Sequence, residues 1–80
     1  MKRAEIYRKL EEIIRDVLGL DELSLSDETI ANDVPGWDSL AHITIISAVE
    51  DEFDIRFPMQ TVISMKNVGE MVDIIESELE

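Results

Sequence analysis

The stretch PGWDSLAHITIISAVEDEF, residues 35–53, joins a turn to a long amphipathic segment. Pro35-Gly36 favours a turn, and Asp38 or Ser39 then offers the side-chain oxygen that caps a helix beginning at Leu40. Apolar residues follow at three- and four-residue steps, which is the spacing of one buried helical face. They are Leu40, Ile43, Ile46, Val49 and Phe53. The stretch therefore predicts a helix with Asp38 and Ser39 at its exposed head.

Two more segments, one on each side of this stretch, show the same helical period. Gly19 is a plausible C-terminal cap for the first of them, and Asn67 with Glu70 resembles a capping box at the start of the second. The apolar positions of the first segment are Ile6, Leu10, Ile14, Val17 and Leu18. Those of the second are Val68, Met71, Val72, Ile75 and Leu79.

The connections between these segments complete the predicted architecture. Pro58 can open a short helix that runs to about Ser64. Residues 20–37 lack a sustained period and form a long first loop, a feature that tends to be functional in compact domains. Its expected apolar anchors are Leu23, Leu25, Ile30 and Val34. We therefore expect a single all-α domain over residues 1–80, a small four-helix bundle of three longer helices and one short helix.

The chain is strongly acidic, since 19 Asp and Glu against 7 Lys and Arg give 80 residues a net charge of −12. No Lys or Arg lies between Arg15 and Arg56. Such a surface repels nucleic acid and anionic membranes and attracts a basic protein partner, although solubility alone is an alternative explanation. The sequence has no cysteine, no signal-peptide pattern and no run that could span a bilayer. We expect a soluble, cytoplasmic monomer without membrane insertion.

The residue types do not favour catalysis. His42 is the only histidine and no glycine-rich loop is present, so we predict neither a zinc cluster nor a phosphate-binding loop. Ser39 and His42 lie three positions apart and have the residue types of a minimal nucleophile and base, but no orienting third group is visible. His42 falls near the apolar face of its helix, which favours a partly packed structural role. We predict no metal site, no catalytic residues and no enzyme.

The hydroxyl of Ser39 has a different potential role. Backbone N–H groups and the dipole at the head of a helix favour a phosphate, so a phosphoester at this position is physically allowed. The alternative is an ordinary cap, because Asp and Ser precede many helices. Composition and spacing alone leave both interpretations open.

Four features in order resemble the acyl carrier protein family. Asp38-Ser39-Leu40 leads into an apolar-periodic helix, and Glu50-Asp51-Glu52-Phe53-Asp54-Ile55, Pro58 and Val68-Gly69-Glu70 follow at the family's spacing. The resemblance implies a carrier on which a phosphopantetheinyl transferase attaches a 4′-phosphopantetheine arm from coenzyme A to Ser39. The thiol of that arm would hold acyl groups as thioesters, which supplies the sulfur that the chain lacks.

The resemblance also implies roles for the neighbours of Ser39. Asp38 would cap the helix and present negative charge, and Leu40 would lie beside the arm on an outer face with Thr44, Ser47 and Asp51. The implied partners are acyl- or aminoacyl-loading and condensing enzymes with basic docking surfaces. An ordinary core position is the alternative for Leu40. The candidate site for the arm is therefore Ser39 with Asp38 and Leu40.

Several positions depart from the pattern of family members that serve fatty acid biosynthesis. Ala41 and Thr44 stand where those members carry acids, residues 59–64 are uncharged, and Trp37 is bulky. These differences predict a stand-alone carrier of a dedicated pathway, such as polyketide, modified-amino-acid or surface-glycolipid assembly. Apolar residues in 59–64 fit either partner contact or core packing of Met59, Val62 and Met65. Two other functions remain open: an aminoacyl or peptidyl carrier of a nonribosomal pathway, and an unmodified acidic helical adaptor.

Overall fold

The computed structural model describes residues 2–79, and every regular element within that range is helical. The elements in chain order are α1 (Arg3–Leu18), the 3₁₀ helix η1 (Ala31–Asp33), α2 (Ser39–Phe53), α3 (Met59–Ser64) and α4 (Val68–Leu79). The predicted all-α bundle of three longer helices and one short helix is confirmed. The single turn η1 inside the long loop was not predicted.

The core lies where α1 packs against α2 and α4. Helix α1 buries the first three of its predicted apolar positions, Ile6, Leu10 and Ile14. It ends as predicted at Gly19, whose φ of 68° lets its N–H donate to the Arg15 carbonyl. Helix α4 buries Val68, Gly69, Met71, Val72 and Ile75. Burial of these apolar side chains is the main stabilising contribution in a chain without cross-links.

The buried face of α2 is rotated from the predicted one. The buried residues are Ile45, Ile46, Val49 and Phe53. Ile43 is 62% exposed, so its prediction as a core position was wrong. A helix has about 3.6 residues per turn, so the position one turn before Ile46 and two turns before Val49 is that of His42 rather than Ile43. The half-buried His42 therefore takes the place that Ile43 was expected to fill.

The long loop is attached to the core by a different set of side chains from the predicted one. Val34 is buried, and Leu23 and Leu25 pack against the core as half-buried residues, as expected. Ile30 is 40% exposed and was wrongly predicted as an anchor, because the chain turns there to begin η1. Trp37, at the end of the loop, is buried instead.

The start of α4 is fixed against the long loop by backbone hydrogen bonds. The N–H of Val68 donates to the Thr29 carbonyl at 2.8 Å, which satisfies a donor that the helix itself cannot use. Asn67 Oδ1 accepts from the Glu70 N–H at 2.9 Å, as predicted. The second bond of a capping box differs, because the Glu70 carboxylate accepts from the N–H of Lys66, at 3.4 Å, rather than from that of Asn67.

Candidate functional site

The head of α2 is built by the turn that precedes it. Gly36 has a φ of 85°, a conformation that glycine adopts without strain, and its carbonyl accepts from the Asp38 N–H at 3.1 Å. The extended backbone of Asp38 then lets its Oδ1 accept from the Ala41 N–H at 2.8 Å. Asp38 is therefore the N-cap, and Ser39 is the first residue of the helix.

Ser39 is exposed, and within residues 2–79 its hydroxyl has no hydrogen-bond partner. The N–H groups of Ser39 and Leu40 belong to the first helical turn, whose donors find no acceptor inside the helix. These groups and the positive end of the helix dipole favour a phosphate ester on the Ser39 oxygen. The residues present therefore fit a phosphate-linked group at this position.

An open groove of about 630 Å³ lies between α2 and α3 and includes Ser39 in its wall. Its other walls are mainly apolar, and His42 lies among them. The apolar lining includes Trp37, Ile43, Met59, Val62 and Ile63. The attachment position thus opens onto an apolar surface that a small organic group or a partner side chain could contact.

Three large apolar side chains of this groove face solvent, as does Leu40, the residue after Ser39, and we call these four side chains the apolar patch. They are Leu40, Ile43, Met59 and Ile63, which are 75%, 62%, 73% and 78% exposed. Leu40 is therefore not a core leucine, and its expected outer-face neighbours Thr44, Ser47 and Asp51 are exposed as well. Apolar side chains grouped on the surface of a small protein typically mark an interaction site.

The apolar residues of α3 and of its C-cap, Met65, are divided between the core and the solvent-exposed surface. Val62 and Met65 are half-buried against the core, whereas Met59 is exposed. The interpretation as core residues is therefore correct for Val62 and Met65 and wrong for Met59.

His42 does not pair with Ser39. Its Nδ1 accepts from the indole N–H of Trp37 at 3.1 Å, and its Nε2 lies 3.3 Å from the carbonyl oxygen of Val62. The two rings also stack with their centroids 6.0 Å apart. Both nitrogens are thus engaged in structural contacts, which agrees with the predicted structural histidine and leaves no base for a Ser–His pair.

Sequence reasoning missed this link between Trp37, His42 and Val62. The only available signal was the position of His42 on the apolar arc of its helix, and the role of Trp37 had no local pattern. By contrast, Asp38, Ser39 and Leu40 lie together at the head of α2 as expected.

Two further features bear on what the chain can bind. Among residues 2–79, no group of three or more His, Asp or Glu side chains is arranged to hold a metal ion. None of the helices in the same range has both the length and the apolar character needed to cross a membrane.

Comparison with known proteins gives consistent similarities. Residues 8–75 match the family model described as "Phosphopantetheine attachment site". The acyl carrier protein of Clostridium acetobutylicum is 35% identical over 75 residues, which cover 94% of this chain and 97% of that protein. The acyl carrier protein of Guillardia theta is 32% identical over 80 residues, covering 99% of this chain and 98% of that one. The solution NMR structure of a holo acyl carrier protein from Geobacter metallireducens superposes with a TM-score of 0.84 at 36% identity, covering 91% of this chain and 84% of that chain.

Proposed function

The chain belongs to the acyl carrier protein family, and on that premise we propose that Ser39 is the residue that bears its covalently attached 4′-phosphopantetheine arm. As a member of this family it is a carrier and not an enzyme. The arm supplies the thiol that holds acyl groups as thioesters, and the chain itself contains no cysteine.

The observation that carries the assignment to Ser39 is its position at the first residue of α2. The hydroxyl is exposed and lacks a hydrogen-bond partner within residues 2–79, and the N–H groups of the first turn lie beside it. The Asp38 carboxylate accepts a hydrogen bond from the N–H of Ala41. The N–H groups of Ser39 and Leu40 remain available to phosphate oxygens. Neither of the other serines on α2 and α3, Ser47 and Ser64, lies in a first helical turn.

In arm attachment this chain supplies the acceptor oxygen, that of Ser39, and does not supply the base. In that reaction the Ser39 oxygen would bond to the phosphorus of the pantetheine phosphate as the phosphoanhydride bond of coenzyme A breaks, with adenosine 3′,5′-bisphosphate as the leaving group and a base outside this chain as the acceptor of the hydroxyl proton. His42 is not the base, since Trp37 and Val62 occupy both of its nitrogens. Specific recognition by the transferase therefore depends on the surface around Ser39.

As a family member, the chain interacts with a phosphopantetheinyl transferase and with biosynthetic enzymes. We propose that these enzymes contact the apolar patch with apolar side chains and surround it with basic ones. Leu40 and Ile43 of the patch lie between Arg15 and Arg56, a part of the chain that contains no Lys or Arg, and Met59 and Ile63 lie on α3, which has no charged side chain. Opposite charge speeds association, and screening by salt shortens its reach, so affinity should fall as salt rises.

The pathway is proposed to be a dedicated one rather than general fatty acid biosynthesis. Support comes from Ala41 and Thr44, which stand where family members of fatty acid biosynthesis carry acidic residues. Further support comes from α3, which has no charged residue and exposes Met59 and Ile63. A docking surface of this kind relies more on apolar burial than on charge. The relatives named above are acyl carrier proteins, which favours an acyl cargo over an aminoacyl one and a modified carrier over an unmodified adaptor.

We also propose that the carrier acts as a monomer in the cytoplasm. A net charge of −12 makes copies of the chain repel each other, which opposes self-association through the apolar patch. Sedimentation of the purified protein as one chain would agree with this, and a stable dimer would contradict it.

Intact-mass measurement tests the assignment of Ser39. The unmodified protein is incubated with coenzyme A and a broad-specificity transferase, and we expect a gain equal to one phosphopantetheine group. Ser39→Ala should gain nothing. Ser47→Ala removes another exposed serine of α2 and should be labelled as the wild type is. Labelling of Ser39→Ala, or no labelling of the wild type, would contradict the proposal.

A further inference from the structure

His42 joins three elements that surround Ser39. The residue belongs to α2, its Nδ1 accepts from Trp37 in the preceding loop, and its Nε2 faces the Val62 carbonyl oxygen in α3. Trp37 lies two positions before Ser39, and Val62 lines the groove that Ser39 opens onto. The imidazole therefore connects α3 to the segment that contains Ser39, the proposed attachment residue.

The contact with Trp37 fixes the protonation of the ring. An indole N–H can only donate, so Nδ1 of His42 must carry a lone pair and no proton. In the neutral ring the proton is then on Nε2, where it can be donated to the Val62 carbonyl oxygen at 3.3 Å. Both bonds form together only in this single neutral tautomer.

Helix α3 has few other attachments to α2. It consists of six residues, none of them fully buried, and its N-cap Pro58 provides no side-chain hydrogen bond. Within residues 2–79, the contact between His42 and Val62 is the one hydrogen bond that links α2 to α3. Met59 and Ile63 of the apolar patch are on α3, so their distance from Ser39 depends on this contact.

We propose that His42 is a positioning residue whose neutral form holds both Trp37 and α3 at the groove beside Ser39 and whose protonation releases Trp37. The protonated ring has a donor at both nitrogens, so the Nδ1–H would face the Trp37 N–H and that bond would be lost. Trp37 would then move relative to α2, whereas the Nε2–H would still donate to the Val62 carbonyl oxygen of α3. The groove matters for docking on the premise of the proposed function, but the coupling itself does not require the arm.

Two charged residues border the same cavities as His42. Asp38 lines the same groove, and Lys66 lines a small cavity of about 60 Å³ on which His42 also borders. These charges have opposite signs and so act in opposite directions on a charged imidazole. Helix α3 has no charged side chain. The hydrogen bonds to Trp37 and Val62 therefore remain the direct constraint on the protonation of His42.

The fluorescence of Trp37, the only tryptophan, reports the release directly. Lowering the pH of the unmodified protein from 8 to 5 should change its emission, because a proton on Nδ1 of His42 breaks the bond from the Trp37 N–H. His42→Gln keeps one acceptor and donors in an amide that does not titrate, so its emission should stay constant over this range. His42→Leu loses both bonds and has no titratable side chain at this position, so its emission should also stay constant over this range. An equal transition in the wild type and His42→Gln would overturn the proposal.

A second measurement covers the case in which the variants fold poorly. Nitrogen-15 NMR of the imidazole in the wild-type protein should show Nε2 protonated and Nδ1 bare at pH 8. A proton on Nδ1 at that pH would overturn the proposal. Both experiments use protein without the arm, so their failure would leave the assignment of Ser39 intact, and failure to label Ser39 would leave the coupling intact.

Discussion

Gly69 and Asp27 are in direct backbone contact, although 41 residues separate them in the sequence. The Gly69 N–H donates to the Asp27 carbonyl oxygen at 3.0 Å, which joins the first turn of α4 to the long loop. A β-carbon at position 69 would lie 2.8 Å from that oxygen and 2.9 Å from the Asp27 β-carbon. The backbone of the loop and that of the helix can approach this closely only because position 69 has no side chain.

Gly69→Ala should therefore destabilise the fold, even though alanine favours helices. The added carbon forces the loop away from α4, and we expect a loss of about 1–3 kcal/mol in the free energy of unfolding. Urea unfolding followed by circular dichroism measures this change. Ser77→Ala, an exposed position on the same helix, is the control and should change stability little. Equal or greater stability of Gly69→Ala would contradict the contact.

The same loop places the Asp27 carboxylate between Tyr7 and Arg3. It accepts a hydrogen bond from the Tyr7 hydroxyl and lies 2.8 Å from the Arg3 guanidinium. Partial burial and this hydrogen bond raise the pKa of Tyr7 from 10.0 to about 12. Because the folded-state pKa lies above the unfolded one, the associated stability is complete below pH 10 and is lost as the pH rises toward 12.

Tyr7 is the only tyrosine, so its phenolate absorbance gives this pKa directly. We expect Asp27→Ala to move the midpoint down toward 10, but not all the way, because burial is the larger cause. Asp21→Ala removes an exposed acid from the same loop and should leave the midpoint unchanged. A midpoint near 10 in the wild type would contradict the arrangement around Asp27.

Variants at Asp38 separate its cap from its charge. Asp38→Asn retains an oxygen for the Ala41 N–H, so stability should change by a few tenths of a kcal/mol, whereas Asp38→Ala should lose about 1 kcal/mol. If the charge guides a basic partner, both variants should slow association with the transferase at low salt. Stopped-flow association at two salt concentrations measures this, and equal rates for Asp38→Asn and the wild type would contradict the docking role of the charge.

Leu40→Ala tests the apolar patch. The side chain is 75% exposed, so truncation should change stability by less than about 0.5 kcal/mol. Burial of a leucine by a partner contributes about 1.5–3 kcal/mol, so KM for the carrier in arm transfer should rise about tenfold to a hundredfold with little change in kcat. Glu12→Ala, an exposed change on α1, should leave KM unaltered. An unchanged KM for Leu40→Ala would exclude Leu40 from the contact.

Local patterns were sufficient to predict the four α-helices and, to within one residue, the caps of α1 and α2. The cap at Gly19 and the cap at Asp38 depend on residues within one turn, and the sequence shows such residues directly. The same is true of Ser39, whose place at the head of α2 follows from the turn and cap before it. Periodicity also identified most of the core, because burial recurs with the helical repeat.

Tertiary relationships explain the predictions that were wrong. Ile43 has the residue type of a core position, but α2 directs His42 inward because Trp37 and Val62 provide partners for both ring nitrogens. Ile30 is exposed because η1 turns the loop at that point, and the contact of Gly69 with Asp27 joins residues far apart in the sequence. Spacing along one segment carries no information about such pairings.

The central claim is that the phosphopantetheine arm is attached to the Ser39 oxygen. Fragmentation of the peptide that contains residues 35–53, prepared from transferase-treated protein, locates the modified side chain. We predict that every fragment retaining Ser39 carries the added group and that fragments containing Ser47 without Ser39 do not. An added group located on Ser47, or on any residue other than Ser39, would contradict the claim.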